Sequence, residues 1–237
     1  MYELLRKNRL RLRKEMRYSD KRKFFSPSVL SQYEVTLPRI ISYVNGKLID
    51  LGCGDMPFKK FIIDKVTAYD SLDIEKVNHD VMFIGDIQDM NMIPTETYDS
   101  AICLEVLEYV PNPFKALSET YRILRKNGCL ILSVCHLSRL HDEPYDLYRY
   151  TKYGLKYLLE KAGFQVAEIV PTAGFFSFLG HQFSTIFVCL FWHIPILKSI
   201  VFFLNKWFCT KLFFWLDENV EKRKILALGY VCVAKKR

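Results

Sequence analysis

The chain has 237 residues, 50% of them hydrophobic and 25% charged, which suits one α/β domain with an insertion and excludes wholesale disorder. The net charge of +8 is concentrated at the start, where residues 1–23 carry ten Lys and Arg against Glu3, Glu15 and Asp20, leaving the rest close to neutral. The seven cysteines (53, 103, 129, 135, 189, 209 and 232) form no CxxC pair and no Cys/His cluster, which argues against a metal centre or a disulfide framework and for reduced thiols in a cytoplasmic chain.

Residues 1–25 read as a basic N-terminal arm, and residues 26–237 as one domain. The arm suits a helix anchored by Leu4, Leu5 and Leu12. It can contact anionic lipid, contact nucleic acid, or simply stay solvated. No apolar run follows its charges, so it does not read as a signal peptide. Ser26–Val44 reads as a loop and a short helix. Strands and helices then alternate: strands over Lys47–Leu51, Val66–Leu72, Val81–Gly85, Ser100–Leu104, Cys129–Val134 and Phe164–Val170, with helices over Pro113–Leu124 and Thr151–Ala162. Pro113 opens the first of these helices, and Asn127–Gly128 is expected to stop it. This alternation predicts a doubly wound, Rossmann-like α/β sheet of seven mostly parallel strands. Leu226–Ala234 is the last strand, returning antiparallel beside the sixth.

Between the last two strands lies an insertion, 174–222. No Asp, Glu, Lys or Arg occurs from Ile169 to Leu197, and aromatic residues crowd 175–215. Phe183–Leu197 is shorter than the ~20 residues a membrane span needs, and Lys206 and Lys211 interrupt the apolar run that follows. The last strand must rejoin the sheet, which excludes a single span and leaves two spans disfavoured. The insertion is expected to be helical and to serve as a lid, a membrane-surface element or a homodimer interface. With the basic arm, it predicts a peripheral protein on the inner face of a membrane.

The sharpest motif is Asp50-Leu51-Gly52-Cys53-Gly54, where the first strand turns. In such sheets, ligands bind at the carboxyl ends of the strands. Asp73 ends the second strand, 21 residues after Gly52, where an acid can accept ribose hydroxyls. Asp86, followed by Ile87, ends the third, and Glu105 follows the fourth. Pro57 stands where a dinucleotide fingerprint wants glycine, and no Walker lysine follows. Asp50 would repel a pyrophosphate but suits a sulfonium ligand with an amino group.

Together with the run Tyr98–Val134, these motifs resemble the class I S-adenosylmethionine (SAM)-dependent methyltransferases of small molecules, over about Leu48–Val170. The resemblance implies SAM as cofactor and S-adenosylhomocysteine as product. It assigns Asp50, Gly52, Cys53 and Gly54 to the methionine part, Asp73 and Ile74 to the ribose, Asp86 and Ile87 to the adenine, and Leu104 and Glu105 to the floor near the sulfonium. Met56 replaces a frequent third glycine, Tyr109 a frequent histidine, and Arg125–Cys129 a Lys-Pro-Gly-Gly turn.

Beyond the fifth strand, His136 and the segment His141–Thr151 are dense in titratable groups. They resemble a segment of bacterial methyltransferases that modify polysaccharides and lipids. A small-molecule, saccharide or lipid-linked acceptor is therefore expected. Methyl transfer is an in-line displacement, and a hydroxyl acceptor needs a base. His141 is the first candidate and His136 the second. Arg149 could clamp an acidic acceptor group or pair with Asp146, and Thr151 could cap the next helix. Two rival readings remain: a SAM-binding scaffold without turnover, and a nucleic-acid methyltransferase. Leu104-Glu105-Val106-Leu107 lacks the Asn/Asp-Pro-Pro-Tyr/Phe motif of the latter, so nucleic acid is not the expected partner.

Overall fold

The computed structural model describes residues 2–17, 19–76 and 79–237; Met1 and Tyr18 of the basic arm lie outside the described residues. The chain divides into two compact units, one of residues 36–170 and 229–237, the other of residues 1–35 and 171–228.

The first unit is the sheet. Its strands are β1 (Lys47–Leu51), β2 (Ala68–Asp73), β3 (Phe83–Ile84), β4 (Tyr98–Leu104), β5 (Leu124–Cys135), β6 (Phe164–Pro171) and β7 (Gly229–Lys236), in spatial order β3-β2-β1-β4-β5-β7-β6. β1 pairs in parallel with β2 and β4, as do β2 with β3 and β4 with β5, while β7 runs antiparallel to β5. The order reverses between β1 and β4, and this switch point opens a crevice at their carboxyl ends. Leu48, Ile49, Leu72, Ile102, Ile131 and Val233 are all buried, as strands covered on both faces require. The doubly wound sheet with an antiparallel last strand is thus present, and a helical insertion does separate β6 from β7.

Several boundaries differ from the sequence reading. Asn127–Gly128 stops no helix. The helix α5 (Pro113–Ile123) ends earlier, and residues 125–128 form a bulge between the pairs Tyr98–Leu124 and Ser100–Cys129. Asn127 takes a left-handed φ of 66° there, and the bulge is pinned by Arg125 Nη1 on Asp99 Oδ1 and Oδ2, at 2.9 and 2.8 Å. β3 shrinks to two residues, and β7 begins at Gly229, so Leu226–Leu228 belong to the other unit. Ser26–Val44 is almost wholly helical: α2 (Pro27–Ser31), a π-helical turn Gln32–Thr36 and α3 (Leu37–Tyr43). One short helix, α4 (Lys59–Ile62), follows β1, and α6 (Lys152–Lys161) precedes β6.

The second unit joins the N-terminal helix α1 (Tyr2–Glu15) and α2 to the insertion, whose helices are α7 (Phe175–Phe191), α8 (Pro195–Leu204), a π-helical stretch Asn205–Leu212 and α9 (Phe213–Asn219). Leu12 of α1 and Met16, just after it, pack with Val188 and Trp192. Leu4, by contrast, is 37% exposed and does not anchor the helix. Asn8 Nδ2 donates to the Cys189 carbonyl at 2.8 Å. The buried Asp217 carboxylate accepts the backbone N–H groups of Gly174, Phe176 and Ser177 at 2.8–2.9 Å, so a residue of α9 caps the start of α7.

Candidate active site

The turn after β1 is stitched to β2. Gly52 N and Cys53 N both donate to the Leu72 carbonyl, at 2.8 and 3.2 Å, and Gly54 N donates to Asp73 Oδ2 at 2.8 Å. Gly52 sits at φ 68°, and a Cβ there would lie 2.4 Å from Val106 Cγ2. Gly52→Ala therefore combines a strained backbone with a clash and is expected to cost about 2–4 kcal/mol, read as a drop in the denaturant midpoint. Gly54, at φ 48°, has no atom within 4 Å of where a Cβ would stand, so open space adjoins the turn there.

Asp50 lies buried beneath this turn and accepts a hydrogen bond from the Tyr69 hydroxyl. Burial pushes its carboxyl up to about 7; the Tyr69 bond opposes the shift and the nearby Asp73 adds to it. The same burial pushes the Cys53 thiol up to about 12, so it stays neutral. Asp86 accepts Gln88 N on one oxygen and Gln88 Nε2 on the other, both at 2.8 Å. Ile74 is 73% exposed at the end of β2. Ile87 was expected against a ligand. It is buried, a member of the same core cluster as Met90 and Ile93.

At the end of β4, Leu104 is half-buried and Glu105 takes a left-handed φ of 56°, unusual for a side-chain-bearing residue. Glu105 N donates to the Ser133 carbonyl at 3.0 Å, and its Oε2 accepts the Cys135 thiol at 3.0 Å. Glu108, one helical turn on, is fully buried, and neither of its carboxylate oxygens has a hydrogen-bond partner. Ligand-capable atoms of Glu105, Glu108 and Cys135 all lie within 4.8 Å of one another. Burial, then repulsion from Glu105, pushes the Glu108 carboxyl up to about 8, so Glu108 keeps its proton at neutral pH. Sequence reasoning passed over Glu108, Cys135 and Tyr69. The available signal was an acid inside the apolar run LEVLEYV.

Two acids with folded-state pKa values above their unfolded ones make stability fall as pH rises. The folded state binds the extra protons between the unfolded values near 4 and the folded values of about 7 and 8. The thermal midpoint is expected to drop from pH 5 to pH 8, with up to roughly 1.4 kcal/mol lost per pH unit per group. Glu108→Gln should flatten that slope. An unchanged slope in the variant would contradict the assignment.

The loop after β5 is tied to this corner. Leu147 N and Tyr148 N both donate to the Glu108 carbonyl, at 3.0 and 3.1 Å, and the Tyr150 hydroxyl donates to the Leu107 carbonyl at 3.0 Å. Arg149 places Nη1 and Nη2 on the Asp146 carboxylate and Nη2 also on the Arg139 carbonyl, the latter at 3.0 Å. This holds Asp146 down at about 2, mainly through the Arg149 bond. The guanidinium is thus committed within the loop and organises it. Thr151 Oγ1 caps α6 by accepting Gly154 N at 3.0 Å.

His141 Nδ1 lies 3.0 Å from the Arg139 carbonyl and 3.3 Å from Asp146 Oδ2. Both neighbours are acceptors, so Nδ1 carries the proton and Nε2 keeps its lone pair. The Tyr109 ring stands edge-on to the imidazole, with centroids 5.9 Å apart. Tyr109 thus occupies the motif's usual histidine position and packs on a different histidine. His136 packs against the Tyr230 ring, centroids 5.5 Å apart.

A switch-point crevice, a glycine turn open on one side and acids at four successive strand ends define a class I methyltransferase, whose cofactor is SAM. The family described as "Methyltransferase domain" matches residues 3–169, and the chain belongs to that family. Among the curated proteins, none matches the sequence. Solved structures share the fold. A SAM-dependent methyltransferase from Archaeoglobus fulgidus has a TM-score of 0.55 at 17% identity, over 89% of this chain and 95% of that one. One from Mesorhizobium loti has a TM-score of 0.55 at 13% identity, over 87% and 98%. The cyclase SpnF has a TM-score of 0.59 at 17% identity, over 88% and 81%.

Proposed function

We propose that the enzyme transfers the methyl group of SAM to a hydroxyl oxygen of a saccharide, lipid-linked or other small-molecule acceptor, with His141 as general base. The observation that carries this is the setting of His141: its Nδ1 faces the Arg139 carbonyl and the Asp146 carboxylate, which fixes the tautomer that leaves Nε2 free to take a proton. Asp146 also stabilises the imidazolium once formed, and Arg149 holds Asp146 in place. His136 lies nearby in sequence but has no such orienting acid among its described contacts.

SAM supplies an activated methyl on a sulfonium. The Asp50 carboxylate and the backbone of Gly52, Cys53 and Gly54 would hold its methionine part. Asp73, with Ile74 beside it, would hold the ribose, and Asp86 the adenine amino group. Leu104 and Glu105 would form the floor. The residues fit the group, since open space adjoins Gly54 and Asp50 is a buried acid that a ligand ammonium would neutralise.

The test is incubation with methyl-labelled SAM and hydroxyl-bearing acceptors, lipid-linked sugars first. Label appearing on an acceptor oxygen, one S-adenosylhomocysteine per methyl, is the expected result. A folded protein that binds SAM and labels no hydroxyl acceptor would instead favour a SAM-binding scaffold.

A further inference from the structure

Beside the small apolar core around Leu12 and Trp192, the helical unit is inside-out over residues 195–219, where the buried side chains are polar. In a water-exposed helix bundle, large apolar side chains face inward and polar ones face outward. Here the buried positions of α7 include Ser177, Gly180, Ser184 and Thr185, and those of the following long helix include Asn205, Thr210 and Asp217. The outward positions carry Ile196, Ile200, Phe203, Trp207, Phe208 and Trp215. Phe203 and Phe208 are each 61% exposed and Ile196 78%, whereas Asn205 is 3% and Asp217 0% exposed. α7 and the π-helical stretch approach so closely that a Cβ on Gly180 would meet the Cys209 carbonyl at 2.6 Å. Small and polar residues between helices, with large apolar residues outside, is the pattern of helices packed in lipid.

We propose that this unit is a membrane-docking module that lies in the surface of an anionic bilayer, with the outer face of 195–219 in the headgroup–acyl boundary. Residues 195–219 are long and apolar enough to cross a membrane by length and composition. The basic helix selects the surface over a crossing. α1 packs beside the turn joining α7 to α8, through Asn8 on Cys189 and His193 and through Glu15 on Lys198. Its Lys7, Arg9, Arg11 and Lys14 are exposed. A helical hairpin inserted across the bilayer would carry these charges toward the hydrocarbon, which disfavours that pose. A hairpin lying flat brings them to lipid phosphates. Lys211 Nζ stands 4.1 Å from the Trp207 ring centroid, and Lys206 Nζ 5.4 Å, a cation and aromatic pairing suited to the interface. The same positive excess repels a second copy of the chain, which makes lipid the better complement to this face.

The proposal stands apart from the methyl-transfer reading, because SAM binding and vesicle binding are read separately. The full chain is floated with vesicles of phosphatidylcholine, with and without about 30% phosphatidylglycerol, at low and high salt. It should float with the anionic vesicles and leave them as salt rises. Its tryptophan emission should be quenched by bromine placed on the acyl chains. Phe203→Ser/Phe208→Ser and Lys7→Glu/Arg9→Glu/Arg11→Glu should each lower partition by about tenfold or more while SAM titration is unchanged. A folded, SAM-binding protein that stays with the pellet would overturn the proposal. So would a concentration-dependent dimer whose tryptophans are shielded from brominated lipid, since a second copy would then cover the face.

Discussion

Asp73→Ala is expected to weaken SAM binding by about 10²-fold or more in calorimetric titration, because the change removes charge-assisted hydrogen bonds of about 1.5–3 kcal/mol each. Asp73 Oδ2 accepts Gly54 N at 2.8 Å, so the carboxylate shapes the glycine turn in addition to the ribose role proposed for it. The two contributions separate in Asp73→Asn. The amide oxygen still accepts Gly54 N and keeps the turn, but it loses the charge and half the acceptor capacity at the ribose. An intermediate loss is expected for this variant. If Asp73→Ala bound S-adenosylhomocysteine as tightly as the unaltered chain, the ribose assignment would fall.

His141→Ala should lower kcat by about 10²–10⁴-fold on a hydroxyl acceptor with SAM affinity unchanged, the range general-base catalysis spans. His141→Gln, which fills the same space without a proton-accepting ring nitrogen, should lose kcat to a similar extent. A merely structural histidine would be rescued by that replacement. Asp146→Asn offers a finer probe, since it keeps the shape of the loop but removes the charge that orients and supports the imidazole. It should lose kcat without raising the KM for SAM. Full turnover by His141→Ala on the true acceptor would remove the base assignment and leave positioning alone as the source of rate.

The sheet was legible because parallel strands buried on both faces read as apolar runs, and because glycines and acids punctuate their ends in order. Residues 47–51, 98–104 and 164–171 fall close to the expected places. The bulge at Asn127 was not legible: Asn-Gly ends helices and also makes bulges, and only the partner strand decides between them. Ile87 beside Asp86 reads like a ligand wall, yet it is buried in the core cluster, a tertiary choice invisible in the sequence. The pairing of Asp146 with Arg149 and His141 depends on a loop of non-repeating backbone, for which no periodicity exists. The helical unit misleads for another reason. Its aromatic residues were legible as apolar, but which of them face outward is set by the packing of Gly180, Ser184 and Asp217 between helices.

The unit that gathers residues 1–35 with 171–228 also imposes an order on synthesis. Asn8 and its partner Cys189 lie 181 residues apart, so the N-terminal helix leaves the ribosome long before anything it packs on exists. At roughly 5–20 residues per second, that interval is on the order of ten to thirty seconds. During it, Leu12 on this strongly cationic helix, and Met16 just after it, stand uncovered while the first six strands of the sheet are made. If the helical unit docks on anionic lipid as proposed, the nascent arm could meet such a surface before the rest of its unit exists.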